Sequence, residues 1–152
     1  VTTVDGVQYA AWVGPAAAPY VGKRTPPSTS WESFDLSTIA GNPLATPTED
    51  DLHNSYSIGV DPNGRIHVAG NMHDDTLRYV VSTDPGDITA WEVGAMVGTE
   101  EDSATYPQFL TRPNGDFWFS YRNGSSGNGA HYLNAFNPTT RTWSRLSNPL
   151  SG

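Results

Sequence analysis

Three features of the sequence predict an all-β fold. Short runs of alternating or β-branched residues follow one another between turn signals, no run shows the apolar period of a helix, and part of the text repeats. The repeat carries most weight: Pro62-Asn63-Gly64 falls on Pro113-Asn114-Gly115 at an offset of 51 residues, and Trp91 falls on Trp143 at an offset of 52. Units of about 40 to 50 residues with four short strands each are the pattern of a β-propeller blade. The expectation is an all-β propeller fragment of four-stranded antiparallel blades over residues 1–152, with a worn blade at about 1–40 and regular blades at 52–95 and 105–148. Propellers close with about four to eight blades. Missing blades are therefore expected from a longer chain or from self-association.

Taken in order, the worn unit offers a strand at 7–13, a second near 20–21, and, after a Pro-rich loop, a third entered by Trp31. A connection rich in Pro, Thr and acid follows. The second unit offers strands near 57–60, 65–70, 77–82 and 90–93, and the third near 108–111, 116–121, 132–136 and 142–146. Asp61-Pro62-Asn63-Gly64 is turn chemistry, with Asn-Gly able to take the positive φ that a hairpin needs. Alternation places Ile66 and Val68, or Phe117 and Phe119, against a neighbouring sheet and leaves His67 and Trp118 on the other face. His67 is accordingly expected to be a packed strand residue and not a ligand. The run from Ser82 to Trp91 resembles a loosened Asp-box, the structural turn between outer strands of sialidase-like blades. Trp31, Trp91 and Trp143 are expected to wedge between blades.

Composition narrows the partners. The chain has 152 residues, 36% of them hydrophobic, with five Trp and seven Tyr, enough for one domain with a core. No apolar run approaches the roughly 18 residues needed to span a bilayer, so no membrane partner is expected. A formal net charge of -8 argues against a nucleic-acid partner, whose binding needs a clustered basic face. The absence of Cys excludes disulfides and thiolate metal sites but leaves compartment open. Val1 stands without an initiating Met or a signal-like segment, and a part of a longer gene product is expected. Glu49-Asp50-Asp51 and Glu100-Glu101-Asp102 read as solvated loops, with a cation site as the alternative; no cofactor is called for.

A hairpin folds back, so residues flanking its open end return to one edge. His53 and His73 flank the strands of the first regular hairpin, and Tyr106 and Arg122 flank those of the second. All four are expected on one rim. They offer an imidazole that titrates near neutrality, a phenol that gives or takes a proton, and a guanidinium that forks onto a carboxylate. No carboxylate pair stands among them, which disfavours a glycosidase, and the arginine cluster and Tyr-Glu pair of a sialidase are not found. The set suits β-elimination from a uronic acid. A base removes the C5 proton, an acid protonates the leaving oxygen at C4, and Arg122 neutralises the carboxylate, making the C5 proton more acidic. A phenol ordinarily holds its proton to about pH 10, so an adjacent cation would help Tyr106 act as base, and a neighbouring imidazole could share the work. Two alternatives stay open: a metal held by His53 and His73 as neutral imidazoles, and a carbohydrate-binding propeller without turnover.

The strings HNSYSIGVDPNGRIHVAGNMH, ATYPQF and FSYRNGSSGNGAHYLNAFNPTTRTW resemble the BNR-repeat propeller family that includes the ulvan lyases of marine bacteria. The likeness runs from Asp51 to Leu146. It implies a seven-bladed propeller that cleaves the sulfated rhamnose and uronate polymer of green algae by β-elimination, in a secreted or periplasmic setting. By motif match the two catalytic histidines fall on His53 and His73, the catalytic tyrosine on Tyr106 and the carboxylate-neutralising arginine on Arg122. Asn54, Asn71 and Asn123 lie in the matched strings and are expected to bind sugar hydroxyls. Because an acidic protein repels a sulfated polymer at long range, a local basic patch of Arg122, Arg78 and Arg112 is expected to hold the anionic polysaccharide.

Overall fold

The computed structural model describes residues 1–45 and 53–151. The acid run Glu49-Asp50-Asp51 lies outside them. Strands dominate, and the helix among the described residues amounts to short 3-10 turns at Pro15–Ala17, Leu36–Thr38 and Pro43–Ala45. The first sheet is a meander of β1 (Thr2–Val4), β2 (Val7–Val13), β3 (Pro19–Arg24) and β4 (Glu32–Asp35). Strand β1 was not expected, although Asp5-Gly6 signals it: both residues take positive φ, 49° and 78°, in the two-residue turn that pairs Val4 with Val7.

Two chain-consecutive strands, β5 (Tyr56–Val60) and β6 (Ile66–Gly70), open the second sheet. The next, β7 (His73–Asp75), leaves it, and β8 (Tyr79–Ser82) and β9 (Trp91–Val93) complete it. The third sheet comprises β10 (Ala104–Thr111), β11 (Phe117–Asn123), β12 (Ala130–Asn137) and β13 (Thr142–Ser151), with β7 added along β10. It therefore has five strands where four were expected. The polar tripeptide His73-Asp74-Asp75 carries no strand alternation, and its pairing with β10 is a long-range event that local pattern does not encode.

The two repeat turns close alike. Gly64 and Gly115 take φ of 83° and 88°, and their N–H groups donate to the carbonyls of Asp61 and Arg112. Glycine alone supplies the positive φ; Asn63 and Asn114 do not share it. In the first turn the Asp61 carboxylate also accepts from the N–H groups of Asn63 at 2.8 Å and Arg65 at 3.0 Å.

Sheet stacking explains the burial. The middle sheet is covered on both faces, so β6 is buried from end to end. One face sets Ile66, Val68, Val80 and Trp91 against Tyr9, Val21 and Leu36 of the first sheet and its turn. The other sets Ala69, Tyr79 and Val81 against Phe117, Phe119, Phe136 and Trp143 of the third. Trp91 and Trp143 thus wedge between sheets, whereas Trp31 lies on the outer face of the first sheet, 37% exposed, with the Arg24 guanidinium 4.8 Å from its ring.

His67 sits at the seam between the second and third sheets, fully buried, with the rings of Phe117, Phe136, Phe109 and Trp143 at 4.9 to 5.9 Å. Its polar atoms are served by a relay. Trp143 Nε1 donates to the Tyr79 hydroxyl at 3.4 Å, that hydroxyl meets His67 Nδ1 at 2.6 Å, and His67 Nε2 meets Asp61 Oδ2 at 3.1 Å. A neutral imidazole protonated at Nε2 satisfies every bond. Burial lowers the His67 pKa against the opposing pull of Asp61. For Asp61, burial acts to raise the pKa, but the His67 contact and the backbone N–H bonds outweigh it and the net direction is down.

Two outcomes follow from the seam. A Cβ on Gly59 would stand 2.6 Å from Phe109 Cβ and 2.7 Å from the Phe117 ring; Gly59→Ala should destabilise by about 1–3 kcal/mol, read as a lower midpoint in thermal unfolding. Second, unfolded His67 takes up a proton as pH falls below about 6.5, whereas folded His67 resists it. Its contribution is present above that value and declines on acidification, and Asp61 adds a further loss below about pH 4. Urea unfolding at pH 7.5 and 5.5 should show lower stability at the acid value, and His67→Gln should flatten that slope.

Candidate functional site

One end of the seam gathers the polar chemistry. Register draws a row across four strands, since His73 of β7 pairs with Thr105 of β10, which pairs with Arg122 of β11, and Arg122 pairs onward with His131 of β12. Directly paired residues share a face. Beside the row the backbone is twice irregular. In β10 the register shifts between Thr105 and Gln108, where Tyr106 takes φ of 57° and Pro107 has no N–H to pair. The shift is a β-bulge, and it turns the Tyr106 ring out of the ladder until it is 44% exposed. In β7 the register shifts at Asp74, also with φ of 57°.

The side chains expected on one rim come together there. The rings of His53 and His73 stack at 4.4 Å, the His53 and Tyr106 rings lie 6.2 Å apart, and the Arg122 guanidinium carbon stands 5.2 Å from the Tyr106 ring centre. Tyr106 and Arg122 do not flank strands, as the hairpin reading expected, but lie within β10 and β11, which extend past their anticipated ends. Arg122 Nη2 donates to Thr105 Oγ1 at 3.2 Å, and its stem passes so close to the Gly129 backbone that a Cβ there would lie 2.9 Å from Arg122 Cγ and Cδ.

Asp74 adds a carboxylate that sequence reasoning missed. It accepts from the hydroxyls of Ser103 and, at 3.2 Å, Ser125. These bonds first, and then the charges of Arg122 and His73, hold its pKa below the usual carboxylate range. Thr105 and His131 were missed as well. Their only signal is register, which needs the strand pairing to be known.

Other expected contacts go elsewhere. Asn71 is 1% exposed, and its amide donates to the Leu44 carbonyl at 2.9 Å, so a sugar does not reach it. Arg78 is bound to the Asn71 carbonyl and the Asp75 carboxylate, which balances its charge. Asn123 accepts from Ser103 N at 2.9 Å and donates to Asp102 at 3.3 Å. Arg112 lies just past the opposite end of β10, paired with Asp116 and set over the Trp118 ring, so it forms no patch with Arg122. Asn54, half-buried, adjoins His53. The second acid run closes loops: Glu101 accepts from Val97 N and Gly98 N, and the Glu100 carbonyl accepts from the Tyr121 hydroxyl. Among the described residues, no three His, Asp or Glu side chains are grouped to hold a metal ion, and no helix is long and apolar enough to cross a membrane.

Known proteins share this architecture. The ulvan lyase of Nonlabens ulvanivorans is 28% identical over 138 residues, covering 80% of this chain and 29% of that protein. The long isoform of ulvan lyase from Glaciecola sp. (strain KUL10) is 26% identical over 147 residues, covering 70% of this chain and 14% of that protein. The chain thus spans less than a third of the length of these curated relatives. Among solved structures, a polysaccharide lyase of family PL25, an ulvan lyase bound to -[GlcA(1-4)Rha3S]-, superposes with a TM-score of 0.72 at 20% identity, over 95% of this chain and 36% of its own. The polysaccharide lyase Uly1 superposes with a TM-score of 0.75 at 15% identity, over 95% of this chain and 40% of its own. These likenesses show the fold to be that of propeller blades. Residues 7–152 match the model of the BNR repeat-containing family, and the chain belongs to that family.

Proposed function

We propose that this chain carries the reactive rim of a polysaccharide lyase that cleaves a uronate-containing, sulfated polysaccharide of ulvan type by β-elimination. The convergence of His53, His73, Tyr106 and Arg122 supports it. The similarity to ulvan lyases supports it independently. Arg122 binds the uronate carboxylate and offsets the charge that builds on it as the C5 proton leaves. Tyr106, thrown out by its bulge beside that guanidinium, moves the proton; His53 serves as base for one C5 epimer, and His73 orients His53 through the stacked ring. The C5–H bond breaks, its electrons form the C4–C5 double bond, the C4–O bond breaks, and the departing oxygen is protonated. With Arg78 and Arg112 engaged elsewhere, Arg122 is the cation that meets the polymer. We place the intact protein in a secreted or periplasmic setting, where such a polymer is met.

Elimination leaves an unsaturated uronate whose ultraviolet absorbance rises with turnover, whereas a carbohydrate-binding propeller would bind saturably with no rise. In the intact protein that carries this chain, Arg122→Ala and Tyr106→Phe should each lower turnover about 100-fold or more with unchanged thermal unfolding. Arg122→Lys should remain poor, because an ammonium does not reproduce the planar two-bond grip on a carboxylate. His73→Ala should cost less than His53→Ala. Near-normal elimination by Tyr106→Phe would remove Tyr106 from the proton path.

A further inference from the structure

The direction of the Arg122 guanidinium rests on one hydroxyl. Thr105 is fully buried in the middle of the row, and its Oγ1 accepts from two sides: from the Asp74 backbone N–H at 2.8 Å and from Arg122 Nη2 at 3.2 Å. A threonine hydroxyl has two lone pairs, and both are used. The Arg122 guanidinium makes no other hydrogen bond among the described residues; its Nε is buried with no acceptor. The aliphatic stem is confined by Gly129, but a stem alone leaves the fork free to turn. The other arm of the node is itself anchored, because Asp74 is bound to Ser103 and Ser125 and follows His73 directly.

We infer that Thr105 is a positioning residue that aims the Arg122 guanidinium at a substrate carboxylate and couples that aim to the strand bearing His73. The inference rests on the function proposed above. Thr105 touches no substrate. It acts through Arg122, so its removal should weaken recognition of the carboxylate in particular and leave the rest of the sugar contact in place.

That distinction sets the experiment. The probes are an oligosaccharide of -[GlcA(1-4)Rha3S]- and the same oligosaccharide with its carboxyls reduced to alcohols. Titration calorimetry uses the intact protein with Tyr106→Phe as background, so that the carboxylated ligand survives. The background protein should bind the carboxylated form at least about tenfold more tightly. Thr105→Val, which keeps the shape and deletes the acceptor, should abolish that preference while affinity for the reduced form changes less than about threefold. Thr105→Ser should retain it. Thr105→Ala, which crowds nothing, serves if the Val protein does not fold. A general loosening of the fold would weaken both ligands equally and would overturn the inference, as would a preserved preference in the Val and Ala proteins, or no preference in the background protein. The lyase reading is decided separately, by product absorbance with the unsubstituted protein: absent absorbance with a Thr105-dependent preference sinks the elimination and keeps the positioning role.

Discussion

The seam between the second and third sheets holds everything else in place. Phe109 and Phe117 lie on Gly59 where no side chain intervenes, and the Phe109 N–H donates across the seam to Ser57 Oγ at 2.9 Å. This contact sets how closely β5 and β10 approach. Since His53 precedes one strand and Tyr106 interrupts the other, the same spacing sets how far apart the His53 and Tyr106 rings stand. Magnitudes favour packing as the cause: each fully buried large apolar side chain contributes about 1.5–3 kcal/mol, while an exposed ion pair such as Arg112–Asp116 contributes at most about 1 kcal/mol.

The polarity of His67 inside that seam is tolerated because its bonds are complete. His67 would be costly among aromatic rings without partners, yet both its nitrogens are served and Asp61 is bound in turn by two backbone N–H groups. Through Asp61 the relay reaches the repeat turn, and Asn63 in that turn donates to the Pro138 carbonyl, in the turn between β12 and β13, at 2.7 Å. The two sheets are therefore tied at the turn end by a hydrogen bond, in mid-seam by rings, and at the rim by β7.

Legibility in the sequence followed locality. Turn chemistry and alternation located β2, β5, β6 and β11 to within a residue or two, and they also placed His67 and Trp118 on opposite faces from their neighbours, because both signals act over a few residues. The rim was legible in kind, since a hairpin must return its ends to one edge. Its detail was not. Whether Asn71 faces a ligand or the interior is decided by the Leu44 carbonyl, far away in the chain, and the row from His73 through Thr105 to Arg122 exists only once β7 crosses over. Tyr106-Pro107 did carry a local signal, because a proline within a strand marks a bulge. Left-handed backbone at Asn71, Asp74 and Tyr106 costs about 1–3 kcal/mol per residue.

The path of β7 bears on how such a protein can change over generations. In sequence His73, Asp74 and Asp75 belong to the second repeat, but their hydrogen bonds belong to the third. Duplication or exchange of one repeat therefore transplants half of a rim, and the donor strand arrives without the row it was shaped to complete. The inheritable module of this site is not the repeat visible in the text. It is a pair of repeats taken together, and recombination that keeps the row has to cut outside both.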